Sequence, residues 1–554
     1  MCCTESSHRV VYEYNEDNNV SSITETVNGT TKTYSYTYDD DNRLISENAD
    51  GITVTYTYDD LGRLTQKQTK NGDTVIKTDS YTFTASTVGT NGTSSQVASY
   101  NGYTYTYDGN GNILSVSDGT NTTTYQYDSA NQLVRENNQA GGFTKVWTYD
   151  NAGNILSRNE YAYTTGDLGT ATETVTYQYT SAKWGDMLRV YDGQNLTYDA
   201  SGNLTSDGEY IYTWVHGREL ASMSKGNTTW TYTYDANGMR TKRTNGTNTY
   251  EYVYDGSQLV QLTIETTGDY SLEFTYDASG VPLTVTANGY LYYYVTNLQG
   301  DVIGIKNSSG EQVVTYFYDA WGNVTATGTD PIRDLNPLLY RGYVYDWETG
   351  LYYVSSRYYD PEIGRWINAD SLVSTGQGIL GNNMFAYCLN NPVNYIDRDG
   401  TNAEALQWWA TGMGWLPFAD TALPIGDIIY VGGILLLGAI ALASDQDYAP
   451  EISYDEADVA YGTPSPNNDD DDDDYYDDES NFGGRQKVGK NKGSAPGNNQ
   501  AQNKQFRDAT KGLTPDQQRI VHDKITGKGL GYHEIKAVIK DLFAFIIGLF
   551  ASEE

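Results

Sequence analysis

Two histidines near the C-terminus carry the most reactive chemistry in this sequence. His522-Asp523 and His533-Glu534 each set an imidazole beside a carboxylate, 11 residues apart, among several lysines. An imidazole exchanges its proton near neutral pH, so two of them facing a phosphodiester supply the base and the acid of a metal-independent ribonuclease, with lysines holding the phosphate. The competing reading is structural: histidines in a small helical hairpin also cap turns and contact the loop. The second recurrent candidate is a Tyr-Asp pair that ends one copy after another of a repeat. One aspartate per turn offers too few hard oxygen ligands for calcium, so these acids read as turn caps. Their tyrosines read as a packed face, with stacking on a cell-wall glycan as the alternative. Cys2, Cys3 and Cys388 fit neither a disulfide framework nor a zinc site, and no spacing asks for a metal or a cofactor.

The elements around the histidines are helical. Thr514-Pro515-Asp516-Gln517 forms a capping box with proline in the first helical position, and Ile520, Val521 and Ile525 give the helix an apolar stripe. TGKGLG at 526–531 breaks it, and a second helix carries Ile535, Val538, Ile539 and Leu542 on one side. The tip, residues 501–554, is therefore expected to be a small α-helical module. From Arg485 onward the chain holds 12 lysines and arginines against 7 acids, although the whole sequence has a formal charge of −37. Residues 447–500 read as a linker, acidic through Asp469 to Asp474 and then basic. Residues 401–446 are apolar, with an uncharged run of 17 residues from Ile428 to Ser444 that is either a short membrane span or a buried helix.

Everything before residue 400 reads as β. With 52 tyrosines, 56 glycines and only 12 prolines, tyrosine supplies the apolar area that leucine usually supplies. Copies such as YTYDDLGRL and YTYDGNGNIL end on Asp39, Asp59, Asp108, Asp128, Asp150, Asp199, Asp235, Asp255, Asp277, Asp319 and Asp346, often 20 or 22 residues apart. Each unit then holds two short strands and two turns. In Tyr103-Thr104-Tyr105-Thr106-Tyr107 the alternation puts tyrosines on one face and threonines on the other. The turn after the aspartate is expected to use Gly62, Gly109, Gly111, Gly153 and Asn154 for positive φ. One such hairpin is unstable alone, so successive units must join into a continuous sheet that coils to hide its aromatic face. The negative charge makes this repeat region a poor partner for nucleic acid.

From residue 291 to 400 the repeats give way to a distinctive segment that includes YYYVTNLQGDVIGI, YRGYVYDWETGLYYVSSRYYDPEIGRW from Tyr340 to Trp366, and NNMFAYCLNNPVNYIDRDG. With the YD repeats of 1–290, this segment resembles the Rhs/YD-repeat polymorphic toxins over roughly residues 10 to 400. The resemblance implies a mainly β fold, a spiral sheet coiled into a partial or complete hollow shell that is plugged by the core segment and holds a C-terminal polypeptide. In several relatives the core is an aspartyl-type autoprotease that frees this cargo after a DPxGL-like motif. The matching positions here are Asp360 and Asp370, near Arg357 and Arg365, with cleavage near Thr401-Asn402. This sequence departs from that pattern with Asp397-Arg398-Asp399-Gly400-Thr401 and with Ser371 after the second acid. The alternative is that Asp360-Pro361 and Asp370 are turn residues that close the plug.

The resemblance further implies delivery of a toxin in interbacterial competition by a secreted or cell-wall-associated protein. Its partners would be a cognate immunity protein and possible contact with a target-cell membrane. The opening MCCTESSHRV has no signal-peptide pattern, and the chain reads as a fragment of a longer repeat protein. The alternative function is a non-enzymatic surface protein that binds cell-wall glycan.

Overall fold

The computed structural model describes residues 8–405, apart from 28, 50, 86–92, 181–183 and 267. Residues 406–446 of the apolar segment, the linker and the C-terminal tip, expected to be helical, with His522, Asp523, His533 and Glu534 lie outside the described residues. Two antiparallel sheets of 17 and 14 strands account for most of the described chain, and strands consecutive in sequence are hydrogen-bonded neighbours in both. The first sheet runs from His8–Tyr14 to Gln194–Asn195, and the second from Thr197–Tyr198 to Val324–Gly328. The second sheet thus passes through residue 290 without a break. Helix is limited to Ile332–Leu335 and three short 3-10 turns among the described residues.

The aspartates build a repeated five-residue turn. Asp59 Oδ1 accepts the N–H groups of Leu61 and Arg63, both at 3.0 Å, while its Oδ2 accepts Arg63 Nε at 2.8 Å. Asp150 repeats the arrangement with Ala152 and Asn154, and the Asn154 side chain takes the place of the arginine at 2.9 Å. The fourth residue has positive φ, 75° at Gly62 and 61° at Asn131, which is why glycine or asparagine stands there. Gly109 and Asn154, expected at that position, are the second and fifth residues of their turns instead. Asp255 and Asp346 do not follow the pattern. Asp255 ends a strand opposite Gln258, and Asp346 is drawn into an ion pair with Arg240. Asn15, Asn297 and Asn307 make the same turn with a side-chain amide oxygen.

The tyrosine before most of these turns has a specific use for its hydroxyl. Tyr58 donates to the Leu44 carbonyl, Tyr127 to Ile113, Tyr149 to Leu133, Tyr234 to Leu220 and Tyr318 to Val302, at 2.6–3.0 Å. Each acceptor is the apolar residue that follows, or nearly follows, an earlier turn, so each of these repeats is fastened to a preceding one. Phenylalanine would fill the same space without the bond. Trp214 does the same through Nε1, to the Leu204 carbonyl at 2.6 Å. The ring packs inward while Thr104 and Thr106 face solvent.

The two sheets meet through two similar clamps. Lys67 reaches Asp277 Oδ2 at 2.7 Å and Lys145 reaches Asp319 Oδ2 at 2.8 Å, each lysine taking hold of a turn aspartate from the other sheet. A buried glutamate stands beside each clamp. Glu136 accepts the Ala320 N–H at 3.1 Å, and Glu47 bonds the Ala278 N–H and accepts the Tyr56 hydroxyl. Burial, reinforced by the nearby Asp277 and Asp319 charges, pushes the Glu47 carboxyl up to about 8 and that of Glu136 up to about 7. Ile52, Val54, Ile76, Leu283 and Tyr293 close the first seam with apolar contacts.

The core segment adds a four-stranded sheet, Val344–Asp346, Leu351–Val354, Arg357–Asp360 and Arg365–Trp366. Three of its tyrosines grip a single repeat turn: Tyr340, Tyr352 and Tyr359 donate to the carbonyls of Ala320, Gly322 and Trp321 at 2.7–2.9 Å. Its asparagines read the turns of the first sheet, with Asn390 on Gln132 and Gly153, Asn391 on Asn112, and Asn394 on the Ile113 N–H. Toward the second sheet, Arg240 pairs with Asp346 while the Tyr234 and Tyr358 hydroxyls bond each other. Backbone and amide groups of the repeat turns therefore find partners in the core, as buried polar groups must.

Candidate active site

Arg357 opens the third strand of the core sheet, just after the Ser355-Ser356 turn. Its guanidinium is buried and lies over the Trp366 ring, 4.0 Å from the centroid. One nitrogen, Nη2, contacts two carboxylates: Asp370 Oδ2 at 2.9 Å and Asp397 Oδ2 at 3.0 Å. Nη1 donates to the Met384 carbonyl at 3.3 Å, and Nε donates to the Gly400 carbonyl. A fully engaged guanidinium is how a buried arginine is tolerated.

Both acids are fixed by backbone. Asp370 donates its N–H to the Met384 carbonyl at 2.9 Å and accepts the Leu372 N–H on Oδ1 at 2.8 Å. Asp397 exchanges hydrogen bonds with the Tyr343 hydroxyl, through its N–H at 3.0 Å and its carbonyl at 2.6 Å. Its Oδ1 accepts the N–H groups of Thr401 at 2.9 Å and Asn402 at 3.1 Å. Burial pushes the Asp397 carboxyl up to about 6, Arg357 works against that rise, and Asp399 adds to it. A carboxyl that keeps its proton to this pH can act as an acid while a neighbouring carboxylate acts as a base.

The structure thus brings Asp370 and Arg357 together, and Thr401-Asn402 beside them. It places Asp360 and Arg365 elsewhere. Asp360 caps the turn Pro361–Gly364 by accepting the N–H groups of Glu362 at 2.9 Å and Ile363 at 3.3 Å; burial, with Glu362 nearby, raises its carboxyl to about 7. Arg365 donates to the Asp186 carbonyl at 2.7 Å and to Asn383 at 3.3 Å. The acid that completes the centre is Asp397, to which sequence reasoning gave no chemical role. Its one legible signal was the cluster of turn-forming residues ending on Gly400 at the end of the recognisable core.

The Teneurin YD-shell family model matches residues 93–393, and the RHS Repeat model matches residues 38–74. The tRNA nuclease WapA of Bacillus subtilis is 46% identical over 105 residues, covering 19% of this chain and 4% of that protein. The double-stranded DNA deaminase toxin A of Burkholderia cenocepacia is 25% identical over 328 residues, covering 53% of this chain and 22% of that protein. A solved structure of the Photorhabdus luminescens Tc holotoxin pore aligns with 73% of this chain and 21% of its own, at 19% identity and a TM-score of 0.51, a likeness of fold. This chain spans less than a quarter of the length of each of these proteins.

Proposed function

Because this chain belongs to the Teneurin YD-shell family, of the Rhs/YD-repeat kind, we propose that it is a toxin shell whose repeats enclose a C-terminal polypeptide and deliver it in competition between bacteria. Residues 401–446 serve as an apolar pre-toxin segment, 447–500 as a linker and 501–554 as the toxin tip, which a cognate immunity protein neutralises in the producer. The protein works outside that producer, secreted or attached to its wall. At the end of the core, the centre formed by Arg357, Asp370 and Asp397 cuts the chain and frees the cargo.

The observation that carries this reading is the position of that centre. Two carboxylates share one buried guanidinium at the end of the core segment, and one of them accepts the consecutive N–H groups of Thr401 and Asn402. A glycan-binding role has less support, since the repeat tyrosines turn inward and commit their hydroxyls to backbone carbonyls.

Two measurements test it. The purified full chain should resolve on a denaturing gel into a large and a small fragment split near residue 400, and Asp370→Asn should leave it whole; an uncut wild type would remove self-cleavage from the proposal. Residues 485–554 placed under tight control in a bacterial host should arrest growth. Arrest lost in a His522→Ala, His533→Ala double variant indicates acid-base catalysis, and arrest retained indicates another mode of killing. Normal growth with stable expression of the tip would count against a toxin.

A further inference from the structure

The first clamp between the sheets brings together an amine, a carboxylate and a second carboxyl group away from water. Lys67 Nζ lies 2.7 Å from Asp277 Oδ2, and the two side chains are only 8% and 1% exposed. The oxygens of Asp277 are held differently. Oδ1 accepts the Ser279 N–H at 2.9 Å, the Ser279 hydroxyl at 2.6 Å and the Val281 N–H at 3.0 Å, whereas Lys67 is the donor to Oδ2. Glu47 stands beside the pair, bonding the N–H of Ala278, the residue after Asp277, with the Tyr56 hydroxyl 2.5 Å from its Oε1. The other carboxylate near Lys67 is Asp79, 3.8 Å away and engaged by Lys77 at 3.3 Å and by Asn101 at 2.7 Å.

An amine and a carboxylate free in water do not condense. Groups fixed in contact on one scaffold behave as if at about 10⁵–10⁸ M, which reverses that balance. Condensation also removes both charges of a pair whose burial is costly. Burial alone would lower the Lys67 amine and raise the Asp277 carboxyl; their mutual attraction outweighs it in both, so the resting pair is charged and the reaction starts from its minor neutral form.

The second clamp lacks two of these features. Asp319 Oδ2, 2.8 Å from Lys145 Nζ, also accepts the Asn323 side-chain amide at 2.9 Å. Both oxygens of Glu136 are taken by N–H donors, from Ala320 and from the Asn138 side chain, each at 3.1 Å. At Glu47 the partner of Oε1 is a hydroxyl, which can turn from donor to acceptor and so leaves room for a proton on the carboxyl.

We propose that Lys67 and Asp277 condense into an isopeptide bond that joins the two sheets covalently, with Glu47 carrying the protons, while Lys145 and Asp319 remain an ion pair. The Lys67 ammonium passes one proton to Asp277 Oδ2, and the free amine adds to Cγ. Negative charge then develops on Oδ1, where the donors of Ser279 and Val281 already point. Burial pushes the Glu47 carboxyl up to about 8, so it holds a proton at neutral pH. It gives that proton to the Oδ2 hydroxyl as the Cγ–Oδ2 bond breaks, and takes one back from the nitrogen. One water leaves, the Nζ–Cγ amide remains, and Glu47 ends as it began.

Peptide mapping of the purified chain by mass spectrometry tests this, and because both residues lie well before residue 400, cutting near there does not affect the result. Trypsin is expected to release a branched peptide joining the stretch around Lys67 to that around Asp277, lighter by one water than the two together, with Lys145 and Asp319 in separate linear peptides. Linear peptides at Lys67 and Asp277 from the folded wild type overturn the proposal, and a branch at Lys145 in their place overturns its assignment to this seam. Glu47→Gln should keep the wild-type circular dichroism spectrum and form the branch more slowly, on the order of 100-fold or more. A folded Glu47→Gln chain branched as fast as the wild type removes Glu47 from the mechanism. If Glu47→Gln does not fold, Glu47→Asp, which draws the carboxyl back from the pair, takes its place: slowed branching is expected, and a wild-type rate counts against the proton transfer.

Discussion

Asp59 and Asp397 each accept two backbone N–H groups on one carboxylate oxygen and an arginine on the other, yet they end in opposite states. Asp59 is partly exposed and its arginine is its own neighbour, four residues on; burial raises its carboxyl somewhat, and the bonds from Arg63 outweigh that and hold it below the usual range. Asp397 is buried, and its arginine comes from 40 residues away and is divided with Asp370, so burial prevails and the carboxyl rises to about 6. The same local turn chemistry yields a passive cap where water can reach it and a proton-holding group where water cannot. At Asp59 the repeat's own sequence satisfies the acid, whereas Asp397 depends on a group delivered from a distant part of the core.

Substitutions can widen or erase this contrast. The largest expected effect is that of Arg357→Met, which leaves Asp370 and Asp397 buried without their cation and should cost about 3–5 kcal/mol, read as a lowered denaturant midpoint. Its counterpart in the repeats, Arg63→Met, should cost about 1 kcal/mol or less because the pair is near the surface. A pH series probes the clamps between the sheets. Glu47 and Glu136 have folded pKa values above the ordinary 4.5, so the folded protein binds their protons more tightly than the unfolded chain does. Their contribution to stability is complete below about pH 4.5 and is lost as pH rises through about 7 for Glu136 and about 8 for Glu47. A Glu47→Gln, Glu136→Gln variant should flatten the fall in melting temperature across that window; an unchanged slope would mean that the clamps do not titrate. A smaller effect is expected from Tyr149→Phe, about 1 kcal/mol from one lost hydroxyl bond, with strand pairing intact by circular dichroism. Smallest is Asp59→Asn, expected within about 1 kcal/mol, since an amide oxygen makes the same turn at Asn297 and Asn307.

The repeats were legible in the sequence because their causes are local. Alternation at Tyr103–Tyr107 sets the faces, and an acid four residues before Arg63 sets the turn. What escaped notice depended on distance along the chain. Nothing near Lys67 announces Asp277, 210 residues away. Asp346 reads as another repeat ending until Arg240 claims it. At the candidate site, Arg357 and Asp370 could be named because they fall in recognisable text. Asp360 is a matching position of the family resemblance, and the fold uses it to close a turn. Asp397 sits in the least typical stretch of the motif and gains its meaning only from a guanidinium 40 residues upstream.

The tyrosine hydroxyls that fasten one repeat to a preceding one also bear on how such a wall comes apart under load. Each bond spans 14 residues in Tyr58-Leu44 and Tyr127-Ile113 and 16 in Tyr149-Leu133, so the connections are short-range and serial rather than brought together at a single knot. Away from the two lysine clamps and the core contacts, tension meets one hairpin and one hydroxyl at a time, in the manner of a zip fastener, because such a repeat leans on its immediate neighbours. A motor that draws the repeats through a narrow passage would face many modest steps of similar height. The core segment, with its buried ion pairs and its grip on several turns at once, is where that pull would stall.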